Sequence, residues 1–217
     1  MKSSKRWKIA QWFELRWWKN YLATKDTAEY LYWKKKYWNG LLEKCAKHLS
    51  WKEGDAVLDT CCGPAGIFIV LEKYRCVAID PLLDEYEKNL PLFNRKNYPV
   101  VEFVNQPLED FSSPGKFSVV FSLNAINHVQ NLQMCLVNCC DAITPGGQLV
   151  LTIDAHNFSF FKFLFRLIPG DILHPVQDDL NGYTNLFESR GLKLKLSERL
   201  KKEFFFSHYL LVFDKSQ

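Results

Sequence analysis

Val57-Leu58-Asp59-Thr60-Cys61-Cys62-Gly63-Pro64-Ala65-Gly66 decides the fold, because it joins the end of an apolar run to an acid and then to a glycine turn. Ala56, Val57 and Leu58 have the apolar, partly β-branched character of a strand buried on both faces. Ala65 to Leu71, AGIFIVL, predicts a helix over 65–73 directly behind the turn. Gly63 and Gly66 allow close backbone approach between the two. Strand, glycine turn and helix together make a nucleotide-cofactor loop. Asp59 adds a sign: a carboxylate just ahead of the turn repels a pyrophosphate and suits a cationic or zwitterionic ligand.

Outward from this loop the chain alternates strands and helices, which predicts a parallel sheet with covering helices. Strands are expected at 55–59, 75–79, 100–104, 117–121 and 147–153, and helices near 82–90 and 131–142. Pro145-Gly146-Gly147 punctuates the chain before the strand QLVLTI. A helix over 179–190 and two strands, 192–198 and 203–213, close the pattern.

Ahead of it, 5–22 and 27–49 read as two helices, with Asp26 capping the second and Glu29 in capping-box register. Leu31, Trp38, Leu42, Cys45 and Leu49 form an apolar stripe on the second helix, interrupted by Lys34, Lys35 and Lys36. Ala10, Phe13, Trp17 and Tyr21 share one line on the first. The expected organisation is an N-terminal helical cap or lid over 1–50 and an α/β domain over 51–217.

Length and composition are those of one folded domain: 217 residues, 47% of them hydrophobic, support a sizeable core and argue against disorder. The net charge of +4 hides an asymmetry, since residues 1–50 carry twelve Lys or Arg against four Asp or Glu, leaving the remainder net acidic. The start MKSSKRWKIAQWFELRWWK lacks the apolar core and cleavage site of a signal peptide, and no run approaches a membrane span. Seven cysteines, two adjacent pairs among them and no C-x-x-C, argue against a disulfide framework or a zinc site. Reduced thiols and a cytoplasmic location follow. Cys61 and Cys62 are small packing groups or, at a helix N-terminus, thiols of lowered pKa.

The 57–66 stretch resembles the first motif of class I S-adenosylmethionine-dependent methyltransferases: apolar, apolar, Asp or Glu, x, then Gly-x-Gly-x-Gly. Cys61 stands at the first glycine and Ala65 at the third, with Gly66 directly after it. At Cys61 the turn is expected to avoid the φ values that only glycine takes cheaply. The resemblance implies a Rossmann-like seven-stranded sheet in the order 3-2-1-4-5-7-6, with strand 7 antiparallel. It also implies S-adenosylmethionine as cofactor and S-adenosylhomocysteine as product.

Residue by residue, the resemblance gives Asp59, Thr60, Cys61, Gly63 and Gly66 the methionine end of that cofactor. Asp80, with Pro81, ends the second strand and takes the ribose hydroxyls or caps the following helix. Leu108 lies against the adenine and Glu109 or Gln106 reaches its amino group, unless this segment is only a turn. The segment Val119 to Val129 resembles the fourth-motif region of ubiquinone- and menaquinone-related methyltransferases. There Asn124 turns the chain, and His128 serves as general base or buttresses the loop. His156 and His174 are reserve candidates.

The expected reaction is methyl transfer to a small, apolar or aromatic acceptor, with oxygen ahead of nitrogen. Alternatives are a non-catalytic interaction protein on the same fold, a nicotinamide-dependent oxidoreductase and an RNA methyltransferase. The insertion FSFFKFLFRLIPG, 158–170, reads as a lid or pocket wall, an interfacial helix or plain core. The Trp/Lys-rich N-terminus reads as a solvated basic face over an aromatic core, with nucleic acid the less favoured alternative, and the aromatic and basic segments admit weak membrane-surface contact. No metal ligand set stands out, and oligomeric state is not legible.

Overall fold

The computed structural model describes residues 5–157 and 178–216. Helices α1 (Lys5–Leu22) and α2 (Thr27–Cys45) precede strands β1 (Ala56–Thr60) and β2 (Arg75–Ile79), then α3 (Leu83–Asn89) and β3 (Val101–Val104). After them come β4 (Phe117–Leu123), α4 (Leu132–Ala142), β5 (Ile143–His156), α5 (Leu180–Glu188), β6 (Leu192–Lys202) and β7 (Phe206–Lys215). Asp26 caps α2 as its position predicts, Oδ1 accepting the Glu29 N–H at 2.9 Å.

The seven strands form one sheet in the order β3-β2-β1-β4-β5-β7-β6. β7 runs antiparallel to both neighbours and the other pairs are parallel, the order and sense that the resemblance implies. Strand order reverses between β1 and β4, so a ligand crevice opens at the carboxyl ends of these two strands. Pro145 to Gly147 does not precede β5 but bulges out of it. Pairing jumps from Phe117↔Ile143 to Val119↔Gln148, since proline has no N–H to give a ladder.

Alternation of side chains along the strands divides the core in two. Val57, Phe121, Val150, Leu210 and Val212 face α2, where Tyr30, Trp38, Leu41 and Cys45 are buried with them. Leu58, Val120, Leu149, Leu211 and Phe213 face α4 and α5. The two N-terminal helices thus cover one face of the sheet, Leu15, Trp18, Tyr21 and Leu22 of α1 packing against the same cluster.

Two further sequence expectations change. No α-helix spans 65–73: two 3-10 turns, Gly63–Ala65 and Ile67–Val70, carry the chain to β2. Gly66 is extended there, with ψ −175°, and Ile67, Phe68, Ile69 and Leu71 are all fully buried. An amphipathic helix needs a solvated face, and this segment, covered by α2, has none. On α1 the inward line is Gln11, Glu14, Leu15, Trp18, Tyr21 and Leu22, while Phe13 and Trp17 are exposed. One residue of registry, about 100° of rotation, separates this from the expected line, because Trp18 and Glu14, not Trp17, face inward. The insertion 158–170 and His174 lie outside the described residues.

Candidate active site

The first βα turn is built by two buried acids. Asp59, near the end of β1, turns its Oδ2 to the Phe68 N–H at 3.1 Å, with a further backbone bond from Ile67. Asp80, just past β2, accepts the Gly63 N–H on Oδ2 at 3.0 Å and the Leu82 N–H on Oδ1 at 2.8 Å. The helix-capping role is not the one seen, since α3 starts at Leu83 with Leu82 as N-cap and no side-chain cap bond; Asp80 instead orders the chain just ahead of α3 and links it to the glycine turn. Burial raises the Asp59 carboxyl to about 7, the Asp80 charge pushing the same way against the backbone N–H groups and Lys34. Burial likewise raises Asp80 to about 7, helped by Glu14 and opposed by the Leu82 and Gly63 N–H groups.

Gly66 is required by space. A Cβ there would lie 2.5 Å from Asp59 Oδ2 and 2.5 Å from the Cys62 carbonyl oxygen. Gly63 is required by conformation, with φ +58°. Cys61 corrects the expectation for the turn: its φ is +50°, the left-handed region that it was expected to avoid. The neighbouring Cys62 N–H is tied to the Ile79 carbonyl at 3.0 Å, which holds the turn in this shape. Burial drives both the Cys61 and the Cys62 thiol well up, so they are packing groups here and not reactive thiolates. All seven cysteines are free.

The remaining sequence candidates divide. Thr60 points to the opposite face, its Oγ1 donating to the Phe121 carbonyl at 3.0 Å, so its hydroxyl ties β1 to β4. Pro81 is half-buried beside Asp80. Leu108 packs against the cluster of Leu58 and Ile79. Glu109 Oε1 accepts from the Gln130 and Asn131 N–H groups at 2.7 and 3.1 Å, which joins the turn after β3 to the turn after β4. Asn124 caps β4 at φ +54°, with its N–H on Thr152 Oγ1 at 2.9 Å. His128 is exposed in the turn that follows, and His156 is buried near the end of β5.

Sequence reasoning missed what the two N-terminal helices bring. Glu14 accepts the Tyr86 hydroxyl at 3.0 Å and is held up in pKa by burial, against side-chain hydrogen bonds from Tyr86 and Trp18. Trp18, four residues on, lies over Gly63, 3.8 Å from where a Cβ would stand. From α2, Trp38 Nε1 donates to the Ala65 carbonyl at 3.0 Å. Lys34, one turn before it, carries its ammonium over the Trp38 ring at 4.6 Å. The legible signal was a polar residue and a tryptophan four apart on each helix, which puts both on one face. A second missed pair, His208 Nδ1 and Asp154 Oδ1 at 2.9 Å, bridges β7 and β5 toward the carboxyl end of β5.

Three acids, one lysine and a glycine turn make a site for a zwitterion with a further positive charge. The ordinary anion-binding design is absent, since Asp59 and Asp80 occupy the N–H groups that a phosphate would use. Among the described residues no cluster could hold a metal ion. The acceptor set fits a ribose-bearing cation: carboxylates at adjacent strand ends accept from hydroxyls and ammonium, with ring faces above.

Fold and site therefore define a Rossmann-like protein with an acid-flanked cofactor turn. The chain belongs to the methyltransferase domain family, whose model matches residues 30–195. Among curated proteins it is similar to the ubiquinone biosynthesis O-methyltransferase of Rickettsia prowazekii (strain Madrid E). The two are 26% identical over 119 residues, 54% of this chain and 46% of that protein. The chain thus spans about half the length of the curated relatives it matches.

Among solved structures it resembles a methyltransferase from Bacillus halodurans C-125. The TM-score is 0.66 at 16% identity, covering 81% of this chain and 99% of that one. It also resembles the Burkholderia thailandensis 1,6-didemethyltoxoflavin-N1-methyltransferase, solved with its substrate and S-adenosylhomocysteine. That TM-score is 0.60 at 12% identity, covering 91% and 86% of the two chains.

Proposed function

We propose that this protein transfers the methyl group of S-adenosylmethionine to the hydroxyl of a small aromatic or apolar acceptor. The observation that carries the reading is the pair Asp59 and Asp80, buried at adjacent strand ends on either side of the glycine turn. In it, Asp80 receives the ribose hydroxyls, Pro81 lies beside them, and Asp59, Cys61, Gly63 and Gly66 shape the seat of the amino-acid end. Leu108 and Glu109 border the adenine side, and Asn124 borders the sulfonium. When bound, the cofactor supplies an electrophilic methyl group. The protein's share is alignment of acceptor and methyl in line and exclusion of water.

Helices α1 and α2 act as the lid for that purpose, since Trp18 and Trp38 already rest on the turn. Oxygen is favoured as acceptor atom by the name of the curated relatives and by imidazoles at the cleft edge. His128 is the base read from sequence. A second reading gives that task to His208, because its 2.9 Å bond to Asp154 fixes ring and tautomer as a proton acceptor requires. We place the protein in the cytoplasm: its seven cysteines are free, and among the described residues no helix is long and apolar enough to cross a membrane.

Transfer of labelled methyl from S-adenosylmethionine to a panel of phenols, catechols and aromatic amines tests the reading. Labelled methyl ether products support it, and label on amines alone refutes the oxygen assignment.

A further inference from the structure

Lys34 is the half-buried cation of α2, whereas Lys35, Lys36 and Lys44 are exposed. Lys44 pairs with Glu198, and Lys35 reaches Glu72 at 4.0 Å. Lys34 makes no ion pair with any described residue. Its ammonium sits among three rings instead, 4.6 Å from the centre of Trp38, 5.5 Å from Tyr37 and 5.7 Å from Trp33. Burial lowers it to about 8, and the one acid whose charge acts against that is Asp59. A desolvated cation is costly unless something opposite in charge meets it. Ring faces return part of that cost.

The turn beneath is short of donors. Gly63 N–H is held by Asp80, Phe68 N–H by Asp59 and Cys62 N–H by the Ile79 carbonyl. A carboxylate arriving at this turn would find three of the nearest backbone groups taken. Trp38, one turn after Lys34, is pinned to Ala65 of that turn, which fixes where the lysine is delivered.

We propose that Lys34 is the positioning residue for the α-carboxylate of the cofactor's amino-acid end, presented to the first βα turn from the lid. This rests on the reading of the protein as an S-adenosylmethionine-binding methyltransferase. An acid and a base facing each other across the turn, Asp59 below and Lys34 above, match a zwitterion: ammonium toward the acid, carboxylate toward the lysine. A charge-assisted bond of that kind also ties lid closure to cofactor binding.

Calorimetry with three ligands tests it: S-adenosylhomocysteine, its decarboxylated analogue S-(5′-adenosyl)-3-thiopropylamine, and 5′-methylthioadenosine. Wild type is expected to bind S-adenosylhomocysteine at least tenfold more tightly than the decarboxylated analogue. Lys34→Met is expected to weaken S-adenosylhomocysteine at least tenfold, to leave the other two within twofold, and to be partly rescued in Lys34→Arg. Equal weakening of all three ligands would mark Lys34 as structural and overturn the proposal. So would a wild type indifferent to loss of the carboxylate, a comparison that needs no variant to fold. Failure of wild type to bind S-adenosylhomocysteine at all would instead overturn the cofactor reading on which the proposal stands.

Discussion

The Gly63 N–H donates to Asp80 Oδ2 at 3.0 Å, so the turn after β1 and the end of β2 are one unit, though seventeen residues separate them. An acid used in this way organises the loop and still has lone pairs for a ligand. Asp80→Ala is expected to weaken S-adenosylhomocysteine at least tenfold, about 1.4 kcal/mol. Asp80→Asn is expected to keep the fold better than Asp80→Ala, as its amide oxygen can still accept from Gly63. Calorimetry beside thermal melts separates the two effects, and an unchanged affinity in Asp80→Ala would disprove the ribose assignment.

Gly66→Ala puts a methyl 2.5 Å from both Asp59 Oδ2 and the Cys62 carbonyl oxygen, so the buried acid or the turn backbone must shift. A loss of roughly 1–3 kcal/mol in stability is expected from this overpacking, measured by urea denaturation, together with weakened cofactor binding. Retention of wild-type stability would mean that the turn is looser than its geometry states.

At Cys61 the strain is of another kind. A non-glycine residue at φ +50° costs on the order of 1 kcal/mol, and a β-branched one costs more. Cys61→Gly, which restores the usual first glycine, is expected to change stability by less than about 1 kcal/mol, the relieved strain offsetting lost packing and chain entropy. Cys61→Val is expected to destabilise clearly. The reverse order would contradict the left-handed assignment.

The paired acids also set a pH dependence. Asp59 and Asp80 sit near 7 in the folded chain against 3.8 for ordinary aspartate, so between about pH 4 and 7 the folded state holds protons that the unfolded state has released. Their contribution to the stability of the ligand-free protein therefore falls as pH rises through that window. A cationic ligand favours the ionised pair. Its binding near pH 6 is expected to release protons, seen as a dependence of the calorimetric heat on buffer ionisation enthalpy. Affinity is expected to rise toward pH 8 and to fall again as Lys34, near 8, loses its charge.

For the base, two histidines compete. If His128 removes the acceptor proton, His128→Ala lowers turnover on a phenolic acceptor and leaves cofactor affinity nearly intact. If the Asp154–His208 pair does so, His208→Gln has that effect instead, and Asp154→Asn, which loosens the ring's orientation, lowers turnover in the same direction. Neither loss in either variant would point to methyl transfer by alignment alone.

Much of this was legible in the residues. Alternating apolar runs and turns mark the strands, and the position of Asp59 before a glycine turn carries the sign of the ligand. What escaped were relations between distant segments. AGIFIVL reads as a helix because local propensity cannot know that every side is covered, and only tertiary burial turns it into two short 3-10 turns. Lys34 reads as a solvated interruption of an apolar stripe until the rings of Trp33, Tyr37 and Trp38 are seen to enclose it. The pairing of Asp154 with His208 depends on β5 and β7 being neighbours, which sequence order alone does not state.

The central claim is that the acid-flanked turn of β1 and β2 holds the S-adenosyl group, and direct calorimetric titration with S-adenosylhomocysteine tests it. Saturable one-to-one binding, lost in Asp80→Ala, is the predicted result. Absence of binding at millimolar ligand, with a folded protein in the cell, would contradict it and leave a methyltransferase fold without its cofactor.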